Sequence, residues 1–155
     1  MKKMIMVCLG SVLLAGCAGS THTTPFESRF SCEIPKSSDY PVVSSKADLL
    51  TNMKRLGERA ESANFVSGQW MAQTPDAAGK EKIKECSAEI LVASEAIISP
   101  QYESVKKKTV RADERAILTE MYRSWDAYMR SITLNGVDNN LRDAFKAAAE
   151  KYVDL

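Results

Sequence analysis

From Ser45 onward the apolar residues recur at helical spacing. Ser45, followed three residues later by Asp48, resembles a helix start with an acid in the first turn, where the helix dipole favours one. Leu49, Met53, Leu56, Ala60, Ala63, Trp70 and Met71 then share one face, predicting a helix over 46–73. Gly57 and Gly68 weaken it, and Thr74-Pro75 stops it. Thr74 can cap a second helix with Pro75 at its first position, where a proline's missing N–H is not needed. The stripe of that helix is Ile83, Cys86, Ile90, Ser94 and Ile97, which turns Cys86 toward the core. Ser99-Pro100 repeats the signal and predicts the start of a third helix. Its apolar side is Ile117, Leu118, Met121, Trp125, Tyr128, Met129 and Ile132, and Asn135-Gly136 is its predicted end. Asp138 or Asn139 can cap a fourth, carrying Leu141, Ala144, Phe145, Ala148, Tyr152 and Val153. No stretch alternates with β-branched residues, and the connections are short. The expected fold is all-α, an antiparallel bundle of about four helices.

Before Ser45 the pattern changes. Phe26, Phe30, Ile34 and Tyr40 are spaced irregularly and broken by Pro35 and Pro41, which predicts an extended arm laid on the bundle. Residues 17–25 are small and polar after Cys17 and read as a flexible tether. The chain opens on Lys2 and Lys3 and then runs uncharged from Met4 to Ala15. As a helix those residues reach only about 18 Å, short of a hydrocarbon core of roughly 30 Å, so they read as a targeting segment and not a span.

That segment ends Leu14-Ala15-Gly16-Cys17. Those four residues, with the basic start and the short apolar run, resemble the lipobox of bacterial lipoproteins. The resemblance implies that residues 1–16 are removed, that the Cys17 thiol takes a diacylglycerol and that its new amine is acylated. Several acyl chains would hold the protein stably, where one chain binds only marginally. In that class an aspartate after the lipid-bearing cysteine favours the inner membrane; Ala18 stands there, which points to the outer membrane.

Loss of Lys2 and Lys3 would leave 19 basic against 20 acidic residues in a single domain over 26–155. Such a balance gives no reason to expect nucleic acid as a partner. Of the four cysteines, Cys8 leaves with the signal and Cys17 carries lipid, so Cys32 and Cys86 remain. An exported pair in an oxidising compartment is most simply a disulfide, here one that staples the arm to the second helix.

Chemistry is sparsely represented. The lone histidine, His22, lies in the tether, and there is no phosphate loop, no paired Cys-x-x-Cys and no Gly-x-Ser-x-Gly. No metal site, cofactor or catalytic residue is expected. Glu81, Glu85 and Glu89 recur at i, i+4, but Lys80, Lys82 and Lys84 interleave with them as on a solvated helix face. Lys108, Arg111, Arg115, Arg123 and Arg130 fall in one sector of the predicted third helix. Such a row suits a carboxylate or phosphate partner, or else forms a solvated rim. Trp70, Tyr122, Trp125, Tyr128 and Tyr152 either line a ligand groove or fill the core.

The expectation is a non-enzymatic, membrane-anchored interaction or accessory module on the periplasmic side of a cell-envelope assembly, such as a secretion or conjugation system. In layout it is similar to helical pilotin lipoproteins, which join a lipid anchor, a small helical domain and a disulfide. The alternatives are a binder of an anionic small ligand or peptidoglycan fragment through the arginine row, and a carboxylate-based hydrolase.

Overall fold

The computed structural model describes residues 30–43 and 45–155. The predicted signal segment, Cys17, the tether and arm residues 26–29 lie outside the described residues. A short 3-10 turn at Ser37–Asp39 precedes helices α1 (Lys46–Gln73), α2 (Ala77–Lys108), α3 (Ala112–Ser131) and α4 (Asn139–Val153). No strand occurs among the described residues; Thr133 and Gly136 form one isolated bridge. The expected all-α bundle is therefore present, and so is the staple, a disulfide between Cys32 and the buried Cys86. Closing a loop of 54 positions, it removes about 4 kcal/mol of unfolded-chain entropy on the chain-entropy model.

The first helix starts where predicted. The Ser45 hydroxyl accepts from Asp48 N at 3.2 Å, and the Asp48 carboxylate accepts from Ser45 N at 2.8 Å, so each satisfies an otherwise orphaned donor. Asp138 caps α4 in the same spirit, accepting from Asn140 N and Leu141 N. Three other predicted boundaries are corrected. Asp76, not Thr74, caps α2, accepting from Gly79 N at 2.6 Å, while Thr74 is buried as the C-cap of α1. Ser99-Pro100 starts nothing: α2 runs through Pro100 to Lys108. Proline costs a helix interior about 3 kcal/mol, but Ile97, Ile98, Tyr102 and Val105 bury one continuous face on both sides of it, and Pro100 itself is exposed. Finally, α3 ends at Ser131, and Asn135-Gly136 belongs to the following turn, where Gly136 takes a φ of 132°.

Contacts between helices set the directions. Asn64 with Ser87 and Asn52 with Gln101 pair α1 antiparallel to α2. Lys46 with Glu114 and Met53 with Trp125 run α3 parallel to α1, and Tyr128 with Phe145 and Glu120 with Lys151 bring α4 back antiparallel. Trp125 is fully buried at the centre and donates its indole N–H to the Met53 carbonyl at 3.0 Å. The helices are unequal: α1 has 28 residues and α3 has 20, a difference of about 12 Å at 1.5 Å per residue. The starts of α1 and α3 are level, so the C-terminal end of α1 and the start of α2 overhang the shorter pair. Two irregular segments cover the overhang. The arm lies along α1, with Phe30 edge-on to Trp70 at 6.2 Å, Cys32 on Cys86 and the Pro41 carbonyl on Asn52. The α3–α4 connection, 132–138, covers the other flank.

Candidate functional site

Between α1 and the α3–α4 connection lies an open apolar groove of about 690 Å³. Glu58, Glu61, Phe65, Gln69 and Ala72 line its α1 wall, and Ile132, Leu134 and Val137 contribute apolar surface from the connection. Phe65 is 69% exposed, a large apolar side chain left in water at the mouth. On a helical wheel it lies about 160° from Leu49, away from the stripe that buries α1 in the bundle.

The connection is braced. Thr133 and Gly136 exchange both backbone hydrogen bonds, at 2.8 and 3.1 Å, and the Thr133 hydroxyl donates to the Gly136 carbonyl and accepts from Asn135 N. It approaches α1 closely because Gly68 has no side chain: a Cβ there would overlap the Leu134 carbonyl oxygen. Gly57, three turns earlier on α1, has the same role toward α3, since a Cβ there would come within 2.6 Å of the Tyr128 ring. Both glycines weaken α1 locally, and both admit a neighbour.

The two carboxylates at the groove's end are in different states. Glu61 accepts from the Tyr128 hydroxyl at 2.9 Å and lies 3.5 Å from the Arg142 guanidinium. Burial, and then the hydrogen bond to Glu61, push the Tyr128 phenol far above its ordinary range, so it stays protonated as the donor. Glu58, one turn earlier, is exposed and has no ion-pair partner among the described residues. Among the described residues, Glu58 and Glu61 are the only charged side chains lining the groove.

The arginine row is divided. Lys108 ends α2, whereas the four arginines belong to α3 or its cap. Lys108 and Arg111 meet at the α2–α3 corner beside Lys46 and Glu114, and Arg111 is already paired with Asp113 and Glu114. The Asp113 carboxylate raises the Arg111 pKa, and the guanidinium lowers that of Asp113. Arg115 donates to the Thr109 carbonyl at 2.8 Å and shares a shallow hollow with Arg123 and Glu120. Arg130 pairs with Asp126 at 3.0 Å. Of the aromatics, Trp125, Tyr128 and Tyr152 are core, Tyr122 stacks on Tyr102 at 4.0 Å, and Trp70 is half-buried against Phe30. None of the five lines the groove. Glu81, Glu85 and Glu89 are exposed on α2, Glu81 in an ion pair with Lys84.

No family model, curated protein or solved structure matches this chain.

The groove was not among the sites expected from sequence. Its only local signal is Phe65, an apolar residue opposite a helix's buried stripe. The other wall comes from the Ile132–Val137 segment, whose sequence pattern reads as the end of a helix followed by a turn. Only the length difference between α1 and α3 brings the two walls together.

Proposed function

We propose that this protein is a lipid-anchored, non-enzymatic helical module that binds a partner protein of the bacterial cell envelope. Two features support its place there: the Leu14-Ala15-Gly16-Cys17 motif and the Cys32–Cys86 disulfide, a bond favoured in oxidising compartments. The observation that carries the binding role is the exposed Phe65 over an apolar groove with a braced wall. A concave, mostly apolar cleft of this size with a few polar groups at its rim is the usual form of a binding site. The disulfide and the Thr133–Gly136 turn hold both flanks of the overhang, so a partner would meet a largely formed surface.

Placing a photoreactive benzoyl-phenylalanine at position 65 in the full chain, in its own host, tests this reading. Irradiation is expected to yield one discrete adduct with another envelope protein, while the same probe at the exposed Glu89 yields none. Cys17→Ser is expected to release the protein from the membrane fraction. A chain that forms no adduct at 65, or whose Cys17→Ser form partitions as before, is not such a module.

A further inference from the structure

Resting on that reading, we infer that the groove's occupant is an amphipathic helix of the partner that presents an apolar ridge and one Lys or Arg to Glu58. The backbone chemistry of the walls selects a helix. The α1 wall is internally hydrogen-bonded, and in the connection Thr133 and Gly136 satisfy each other. An extended peptide lying there would bury N–H and C=O groups with few backbone partners to meet them, at a real cost per group. A helix arrives with its own backbone satisfied and needs only side-chain complementarity.

Dimensions agree. Glu58 to Ala72 spans about 21 Å along α1, the length of about fourteen helical residues. Along that wall Glu58, Phe65, Gln69 and Ala72 are spaced as the ridge positions into which a second helix packs. Charge then orients the guest. Glu61 is committed to Tyr128 and Arg142, but Glu58 has no ion-pair partner among the described residues, and none of those lining the groove is basic. A cation near that end would gain a partner; an acid would meet a like charge. A second copy meeting this one groove to groove is a poorer occupant, because two hollows set face to face leave each other unfilled.

The test uses two synthetic helical peptides of about fifteen residues. They share a leucine ridge at i, i+4, i+7 and i+11 and differ only in a terminal Lys or Glu. Binding to the disulfide-intact protein is followed by fluorescence anisotropy. The Lys peptide is expected to bind about tenfold more tightly than its Glu twin, the ratio one close charge pair supplies. Glu58→Lys should reverse that order while leaving melting temperature and helix signal unchanged, since Glu58 is exposed and the exchange breaks no described ion pair. Phe65→Ser should weaken both peptides. Equal affinities unaffected by Glu58→Lys would overturn the cation-bearing helix, and so would failure of both peptides to bind at about 1 mM. Concentration-dependent dimerisation abolished by Phe65→Ser would assign the groove to a second copy. A residue-65 photoadduct with this chain's own residues 18–29 would assign it to the tether or the start of the arm. If the peptides fail but that probe captures another envelope protein, the interaction module stands and only the helical, cationic occupant falls.

Discussion

The two halves of α1 are built differently. From Leu49 to Ala60 the helix is walled in: Leu49, Met53, Leu56 and Ala60 are fully buried, Trp125 hydrogen-bonds the Met53 carbonyl, and Tyr128 packs on Gly57. From Glu61 to Gln73 the helix outruns α3; α2 still runs alongside, with Ser87 on Asn64, but the other neighbours are an arm, a disulfide and a turn. One helix thus carries its 69%-exposed Phe65 only about one and a half turns beyond Ala60, the end of its fully buried apolar ladder. Helix-on-helix packing covers the first half with continuous apolar surface. On the second half irregular segments supply part of the cover beside α2, and the stretch left uncovered forms the groove.

Breaking the closed half should have the largest effect. Trp125→Ala removes a fully buried indole and the hydrogen bond it donates to the Met53 carbonyl, so a loss of about 3 to 5 kcal/mol is expected. Denaturant unfolding should show the midpoint falling with the whole helix signal, because every helix contacts the emptied core. A loss confined to the overhang would mean that the halves fold as separate units.

Gly68→Ala acts on the overhang alone. Alanine favours the helix by about 1 kcal/mol over glycine, yet its methyl would overlap the Leu134 carbonyl, a backbone atom with little room to yield. A net cost of about 1 to 3 kcal/mol is expected from the overpacking. Amide exchange should rise at Thr133 and Gly136, whose mutual hydrogen bonds brace the turn, and stay unchanged around Trp125. A stabilised Gly68→Ala protein would show that the close approach at Leu134 is not needed.

The same division explains what was legible in the sequence. Regular packing leaves a periodic trace, and the first helix, the core role of Cys86 and the all-α class followed from that trace; of the two caps open to the fourth helix, Asp138 and Asn139, the chain uses Asp138. The arm and its staple followed from the count of cysteines and the placing of Pro35 and Pro41. Misreadings gathered where local signals competed with tertiary packing. Ser99-Pro100 has the local grammar of a helix start, but burial on both sides of it carried α2 through. Asn135-Gly136 has the grammar of a helix end, yet the chain left the helix after Ser131 to close the Thr133–Gly136 turn. The arginine row depended on one continuous helix across Thr109-Val110, where the bundle instead turns a corner. The groove was invisible because its walls are over sixty residues apart in sequence and meet only through unequal helix lengths.

The smallest expected effect sharpens the closed half at its far end. Tyr152 is buried, its hydroxyl has no hydrogen-bond partner among the described residues, and burial, aided by the nearby Glu114 carboxylate, pushes its pKa up to about 12 from an ordinary 10.0. In the folded protein the phenol holds its proton where the unfolded chain has released it. The unfolded state therefore binds fewer protons between about pH 10 and 12, and stability falls as pH rises through that window. Below pH 10 both states are protonated, and Tyr152→Phe should leave the melting temperature unchanged or slightly raised, because it removes a buried hydroxyl that makes no hydrogen bond to a described residue. Above pH 10 the variant should lose stability less steeply than the wild type. Some of the alkaline slope will persist, since Tyr128 is raised in the same direction by its burial and by Glu61. Melting curves of both proteins from pH 8 to 12 check this, and parallel slopes would mean that the Tyr152 hydroxyl reaches water in the folded state.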